Sequence, residues 1–376
     1  MKIAYVTTYN SSDIHSWSGT GYYMFKTLEE TGHHIEQVIL GNIKYDFFFK
    51  IKTLLYMLIS KRYLKDRDPI YLSNYAKDLE EKLSKIDYDI IFAPSSIPLS
   101  YLEDNKPMMF WTDATFDGIK DFYPEFSNLC NETIRDGHIM EQMALSKSRF
   151  SLYSSDWARD SALKYYNVDE DRVITVPFGA NIDSNRELKD IEKIVYQKSL
   201  DKCILIFSGV DWDRKGGELV LEVASKLNKR GLETHLHIIG VELDKELPDY
   251  ITVHGFVSKS SKEGKELLDK LMMEAHFLIV PSKAECAAMV FAEASSFGLP
   301  SISRAVGGIP TVIEDNINGK TFQLNDKADL YCDYIQDIIS SKDRYQKLSI
   351  SSFKLYTQKL NWTTASKNIK DILDNI

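Results

Sequence analysis

Cysteine is scarce, with 4 in 376 residues. Cys130, Cys203, Cys286 and Cys332 lie far apart within apolar runs, and no two have the spacing of a zinc or redox pair. They read as buried free thiols in a reducing compartment. Positive charge is not in excess either: 46 Lys and Arg face 55 Asp and Glu, a formal net charge of −9. That excludes general nucleic-acid binding, which needs a basic surface to displace counterions. No uncharged apolar run reaches the length of about 18 residues that a membrane-spanning helix requires. The opening MKIAYVTTYN lacks the apolar core of a secretory signal and reads as a first strand. A cytoplasmic location is the expectation.

Apolar side chains make up 44% of the chain. At this length that is too much for one ordinary α/β core and suited to two. Aromatics reach 12%, with 21 Tyr and 18 Phe; they serve sugar binding, but also fill cores. Residues 2–9 read as a strand, followed by a polar loop with Gly19 and Gly21, a helix over 22–30 and a strand over 35–40, which together make a βαβ unit. Further strands are expected at 89–93, 107–111, 149–153 and 173–176. Residues 183–200 are polar and charged and read as a connection. The pattern then restarts with strands at 203–210, 234–240, 251–256, 276–282 and 300–304 and a helix over 217–231. A last helix over 362–376 is a candidate to cross back to the first half. The expected fold is α/β, two doubly wound Rossmann-like domains. Ligands in such sheets bind beyond the carboxyl ends of the strands, so the cleft between two facing halves is the default site.

Three constellations follow strand ends. In ECAAMVFAE, Glu285 and Glu293 stand eight positions apart. On one continuous helix they would be ~12 Å apart on a similar face. Carboxylates accept hydrogen bonds from sugar hydroxyls, and the N–H groups of Met289 and Val290 near a helix start favour a phosphate. The pair reads equally as a surface glutamate and a helix-start glutamate favoured by the dipole. In SGVDWDRKGGE (208–218), Gly209 precedes the adjacent cations Arg214 and Lys215, suited to the charge of a diphosphate leaving group. Asp211-Trp212-Asp213 spells a metal-binding triplet used by another class of enzyme. Lys215 already supplies the positive charge here, so no metal is expected, and Asp213 is expected to cap the helix or pair with Arg214. In SWSGTGY, Gly19-Thr20-Gly21 is only part of a dinucleotide fingerprint: position 24 is Met, and no acid ends the second strand. Asp113, beyond the strand at 107–111, could orient an acceptor hydroxyl or take its proton, or be a plain turn or capping residue. His15 and His138 are weaker candidates for that role.

After the second glutamate runs GLPSISRAVGGIPTVIEDNINGKTF (298–322). With the E-x7-E pair and VPFGANID (176–183), this resembles retaining glycosyltransferases of the GT-B fold, family 4, over most of the second half. The resemblance implies a donor-binding domain over 200–361 and an acceptor-binding domain over 1–185. Its substrates would be a UDP-, GDP- or ADP-linked sugar and a hydroxyl acceptor, with no cofactor. Glu285 would contact the donor sugar and Glu293 the ribose, Lys215 would match the family lysine, and Gly19 to Gly21 would approach the donor phosphates. Two departures stand out. Val210 occupies the place of the family arginine, with Arg214 a candidate substitute, and Ala287-Ala288 stands where the family has glycine. Retention of anomeric configuration and a role in polysaccharide or glycoconjugate synthesis follow from the same resemblance. A non-catalytic partner subunit, a sugar-nucleotide epimerase, a phosphorylase and an NAD dehydrogenase are the rivals. Finally, 43–67 mixes large apolar residues with Lys and Arg. It reads as a basic amphipathic region for an anionic membrane surface, or as a helix covering the first sheet with its cations in water.

Overall fold

The computed structural model describes residues 1–13, 16–41, 46–182 and 184–376. These form two compact units, Met1–Phe178 with Ala365–Ile376, and Gly179–Thr364. Each is built on one six-stranded sheet in which every pairing is parallel.

The first sheet contains β1 (Lys2–Thr7), β2 (His34–Ile39), β3 (Ile90–Ala93), β4 (Met108–Thr112), β5 (Ser148–Tyr153) and β6 (Val173–Thr175), in the order β2-β1-β3-β4-β5-β6. β3 and β4 are buried along their whole length, as strands covered by helices on both faces must be. The second sheet contains β7 (Cys203–Ser208), β8 (Thr234–Ile239), β9 (Ile251–Val253), β10 (Phe277–Ile279), β11 (Ser301–Arg304) and β12 (Gly319–Phe322), in the order β12-β11-β10-β7-β8-β9. The chain runs outward from β7 to β9 and returns to place β10 on the other side of β7. In a doubly wound sheet ligands bind at such a reversal, beyond the carboxyl ends of the two central strands. The equivalent reversal in the first sheet lies between β1 and β3.

The connection read into 183–200 contains a helix, Leu188–Gln197, belonging to the second unit. Its Ile191 and Val195 are buried with Phe353, and Asp190 accepts from the Glu187 N–H at 2.9 Å. β12 has no counterpart among the expected strands, and the strand expected over 276–282 is confined to Phe277–Ile279. None of the four cysteines is in a disulfide, and all are buried.

Of the 43–67 segment, 43–45 lie outside the described residues. The remainder begins with the helix Asp46–Leu58, and of the two readings of this segment the one with the apolar side inward and the cations in water does not hold. Lys52 points into the unit while most of the apolar side chains are exposed. No helix among the described residues is long and apolar enough to cross a membrane.

Candidate functional site

The loops that follow β7 and β10, the two strands flanking the reversal, converge. After β7, the Gly209 N–H donates to Ile239 O at 3.0 Å. A tight turn follows, in which Lys215 N–H donates to Asp211 O at 3.0 Å and Gly217 N–H to Trp212 O at 2.9 Å. Asp211 organises the turn twice: Oδ1 accepts from the Arg214 N–H at 3.0 Å and Oδ2 from Arg214 Nε at 3.2 Å. The carboxylate expected to do this was Asp213. The N-cap of the following helix, Gly217–Lys229, is Gly216, which offers no capping side chain. Gly216 has φ 79°, and a Cβ there would lie 2.3 Å from Pro281 O. Only glycine lets this turn lie against the segment that follows β10.

That contact fixes both cations. The Lys283 N–H donates to Arg214 O at 2.7 Å. Arg214 Nη1 donates to Ala284 O and to Glu285 Oε2, both at 3.0 Å, and Lys215 Nζ donates to the same Glu285 oxygen at 2.7 Å. The Lys215 stem lies across Gly209, where an added Cβ would come within 2.9 Å of Cγ. Lys215 and Glu285 side chains are each 11% exposed. The Glu285 main chain is fixed as well, since its O accepts from the Gly308 N–H at 2.9 Å. Two cations thus share one buried carboxylate oxygen. The arrangement suits exchange: an arriving anion can take the cations and release the carboxylate to accept from hydroxyls.

Glu285 and Glu293 do not lie on one helix. The helix runs Met289–Ser295 and residues 285–288 precede it. Met289 and Val290 open its first turn, and Ala288 at the N-cap provides no side-chain acceptor. Glu293 is buried, and Lys259 Nζ meets its Oε1 at 2.5 Å. Lys259, half exposed on the loop after β9, was not among the sequence candidates. The one local signal was a lysine-rich run, VSKSSKEGKE, and its partner stands 34 positions away.

The remaining candidates belong to the first unit. Gly19 has φ 90° and caps the helix Thr20–Glu30, in which Thr20 and Gly21 are buried. Asp113 follows β4. The cap of the next helical turn is Thr115, whose Oγ1 accepts from the Gly118 N–H at 3.0 Å. His138 is partly buried, with Nδ1 3.2 Å from the Tyr166 hydroxyl and Nε2 3.7 Å from Asp117. Burial, reinforced by Lys120, lowers its pKa from the ordinary histidine value. His15 lies outside the described residues. Among the described residues, no group of three or more His, Cys, Asp or Glu is placed to hold a metal ion.

Residues 189–354, within the second unit, match the family model described as glycosyl transferases group 1. The D-inositol 3-phosphate glycosyltransferase of Mycolicibacterium smegmatis is 22% identical over 53% of this chain and 47% of its own length. The chain spans about half the length of the curated relatives it matches, between 47% and 62%. Among solved structures, the apo lipopolysaccharide outer core galactosyltransferase WaaB superposes over 100% of both chains (TM-score 0.68, 13% identity). HepE of Anabaena in complex with UDP-glucose does the same (TM-score 0.61, 15% identity). The two parallel six-stranded sheets therefore have the fold of the GT-B glycosyltransferases.

Proposed function

We propose that this protein is a retaining glycosyltransferase that moves a sugar from a nucleoside-diphosphate sugar to a hydroxyl acceptor, in polysaccharide or glycoconjugate synthesis. The observation carrying this reading is the convergence of Lys215 and Arg214 on Glu285 where the second sheet reverses. In the proposed reaction the diphosphate takes over the two cations, aided by the N–H groups of Met289 and Val290. Glu285 turns to the donor sugar hydroxyls and Glu293 to the ribose. The bond from the anomeric carbon to the diphosphate oxygen breaks while the acceptor oxygen attacks on the same face. The electron pair leaves with the diphosphate, whose growing charge Lys215 and Arg214 offset. Gly209, and in the first unit Gly19, Thr20 and Gly21, are the proposed backbone neighbours of the phosphates. Asp113 is the proposed partner of the acceptor hydroxyl and takes its proton as the oxygen attacks. A UDP-sugar is the first donor to try, since the solved HepE complex holds UDP-glucose. The sugar-synthetic role draws support from the galactosyltransferase and the inositol phosphate glycosyltransferase.

The test is a thermal-shift screen with UDP-, GDP- and ADP-sugars, followed by NMR of the product's anomeric configuration with the donor that binds. Glu285→Gln should cut turnover by about 100-fold or more, the scale of losing a group that acts in the transition state. It should leave nucleotide affinity unchanged or tighter, because the cations lose their internal partner. Lys215→Ala should weaken nucleotide binding about tenfold or more, as expected for one charge-assisted hydrogen bond. Wild-type turnover in Glu285→Gln, or no stabilisation by any of the nucleotides, would overturn the reading.

A further inference from the structure

The helix Asp46–Leu58 is turned inside out. Its side chains at 49, 52, 53 and 56, three and four positions apart, form one face, and that face is anchored to the first unit. Phe49 is fully buried and meets the Tyr71 ring edge-on, with centroids 5.1 Å apart. Lys52 Nζ bridges Asp68 at 2.7 Å and Glu132 at 2.6 Å. Tyr56 donates to the other Glu132 oxygen at 2.8 Å and stacks on Tyr63, whose hydroxyl donates to Asp68 at 2.6 Å. Beside Phe49, an ion-paired lysine, a threonine and a tyrosine thus occupy the side of a surface helix that is ordinarily aliphatic.

The aliphatic side chains lie on the opposite arc. Phe47, Phe48, Ile51, Leu54, Leu55 and Leu58 are all exposed, Phe47 to 75% and Leu58 to 74%. At 100° per residue they form one continuous stripe, and Ile59 extends it past the helix end. Scattered exposed apolar residues need no explanation, but a contiguous patch of this kind marks a surface that something covers.

The charges around the stripe identify what covers it. From 47 to 65 the chain carries five cations and no Asp or Glu, although its net charge is −9. Lys52 is used internally; Lys50, Lys61, Arg62 and Lys65 are exposed. In a two-fold self-contact these cations would meet one another with no acid between Asp46 and Asp66 to pair them. At 13 residues the helix is too short to span a bilayer. A short helix with a broad apolar stripe and a rim of lysine and arginine fits the plane of an anionic lipid surface, where aliphatic groups enter the acyl boundary and cationic stems reach back to the phosphates. We infer that the outward face of the Asp46–Leu58 helix docks the first unit on an anionic membrane surface. This docking is independent of the transfer reaction.

Flotation of the full chain with vesicles tests it, comparing phosphatidylcholine alone with phosphatidylcholine mixed with phosphatidylglycerol. Wild-type protein should float with the mixed vesicles, less at high salt, and hardly at all with the neutral ones. Leu54→Glu/Leu58→Glu should reduce binding by about 100-fold or more, and Lys61→Gln/Arg62→Gln by about 25-fold, some fivefold per cation. Both pairs are exposed, so both variants should keep the wild-type melting temperature, which separates lost docking from lost folding. Equal binding to neutral and anionic vesicles would overturn the inference. So would absence of vesicle binding combined with a dimer in sedimentation velocity that Leu54→Glu/Leu58→Glu dissociates, because the stripe would then be an interface between two copies.

Discussion

Glu141 shows how far burial alone can move a carboxylate. It sits on the helix Asn131–Lys147 and is 2% exposed. Ser96 Oγ donates to one oxygen at 2.9 Å and the Tyr153 hydroxyl to the other at 3.4 Å. Loss of water raises its pKa to about 7, against the opposing pull of the Ser96 hydrogen bond and of Arg67. In the unfolded chain it titrates near the ordinary value of about 4.3. Between these values the folded state holds the proton and the unfolded state does not. Stability should therefore fall as pH rises from about 4.5 to about 7 and level off above, a loss of about 3 kcal/mol from this group. Glu141→Gln keeps an acceptor for Ser96 and cannot ionise. Its melting temperature should match wild type near pH 4.5 and exceed it by several degrees at pH 7.5. Parallel pH profiles for the two proteins would contradict this account. None of it was legible in the sequence, where Glu141 is one acid in a polar helix and its burial is decided by Ser96 and Tyr153 at a distance. Lys215 was legible because it follows a strand and precedes Gly216-Gly217, and Glu285 because it follows a strand and the run GLPSISRAVGGIP comes after its partner Glu293. Lys259 was not, since its partner lies on the helix Met289–Ser295, 34 positions on, and no local period links them.

At the scale of elements, the strands of both sheets could be read from apolar runs because a parallel sheet buries both faces. The exceptions have definite causes. The helix Leu188–Gln197 hides in a polar stretch because a helix against a surface groove needs only a narrow apolar stripe, here Ile191 and Val195. β12 is a four-residue strand at the end of its sheet, GKTF, with two residues only partly buried. The inverted Asp46–Leu58 helix shows that amphipathicity predicts two faces but not which one turns inward. The turn after β7 depends on a single backbone conformation. Gly216→Ala would force a Cβ into a left-handed position, at about 1–2 kcal/mol, and against the Pro281 carbonyl oxygen. The turn must then withdraw from the strand end, taking Arg214 and Lys215 away from Glu285. The variant should melt several degrees lower and bind nucleotide about tenfold or more weakly, since a charge-assisted contact is lost. An unchanged calorimetric affinity would show that the turn is not part of the donor site.

At the scale of the whole chain, the backbone passes between the two units twice, after Phe178 and after Thr364. Both passages leave from neighbouring backbone of the second unit, where the Ala180 N–H donates to Leu360 O at 3.1 Å. The final helix, Trp362–Leu373, then contributes its last turns to the first unit. There Ala365, Ile369 and Leu373 are buried, and Ser366 Oγ donates to Thr27 O at 3.0 Å. The periodic apolar residues made the helix itself legible; its partner was not, because nothing near 362–376 encodes a contact with residue 27. Burying the Ile and Leu side chains and the alanine is worth about 5 kcal/mol at about 1.5–3 kcal/mol per large residue. That is comparable to the whole folding margin of a domain, about 5–15 kcal/mol. A chain ending at Thr364 should therefore lose the first unit selectively. Its melting should split, with an early transition and a second one near the original temperature. Limited proteolysis between the two should cut within 1–178 and spare 179–364. Cleavage of the second unit first, or a single unshifted transition, would mean that the helix adds nothing to the stability of the first unit.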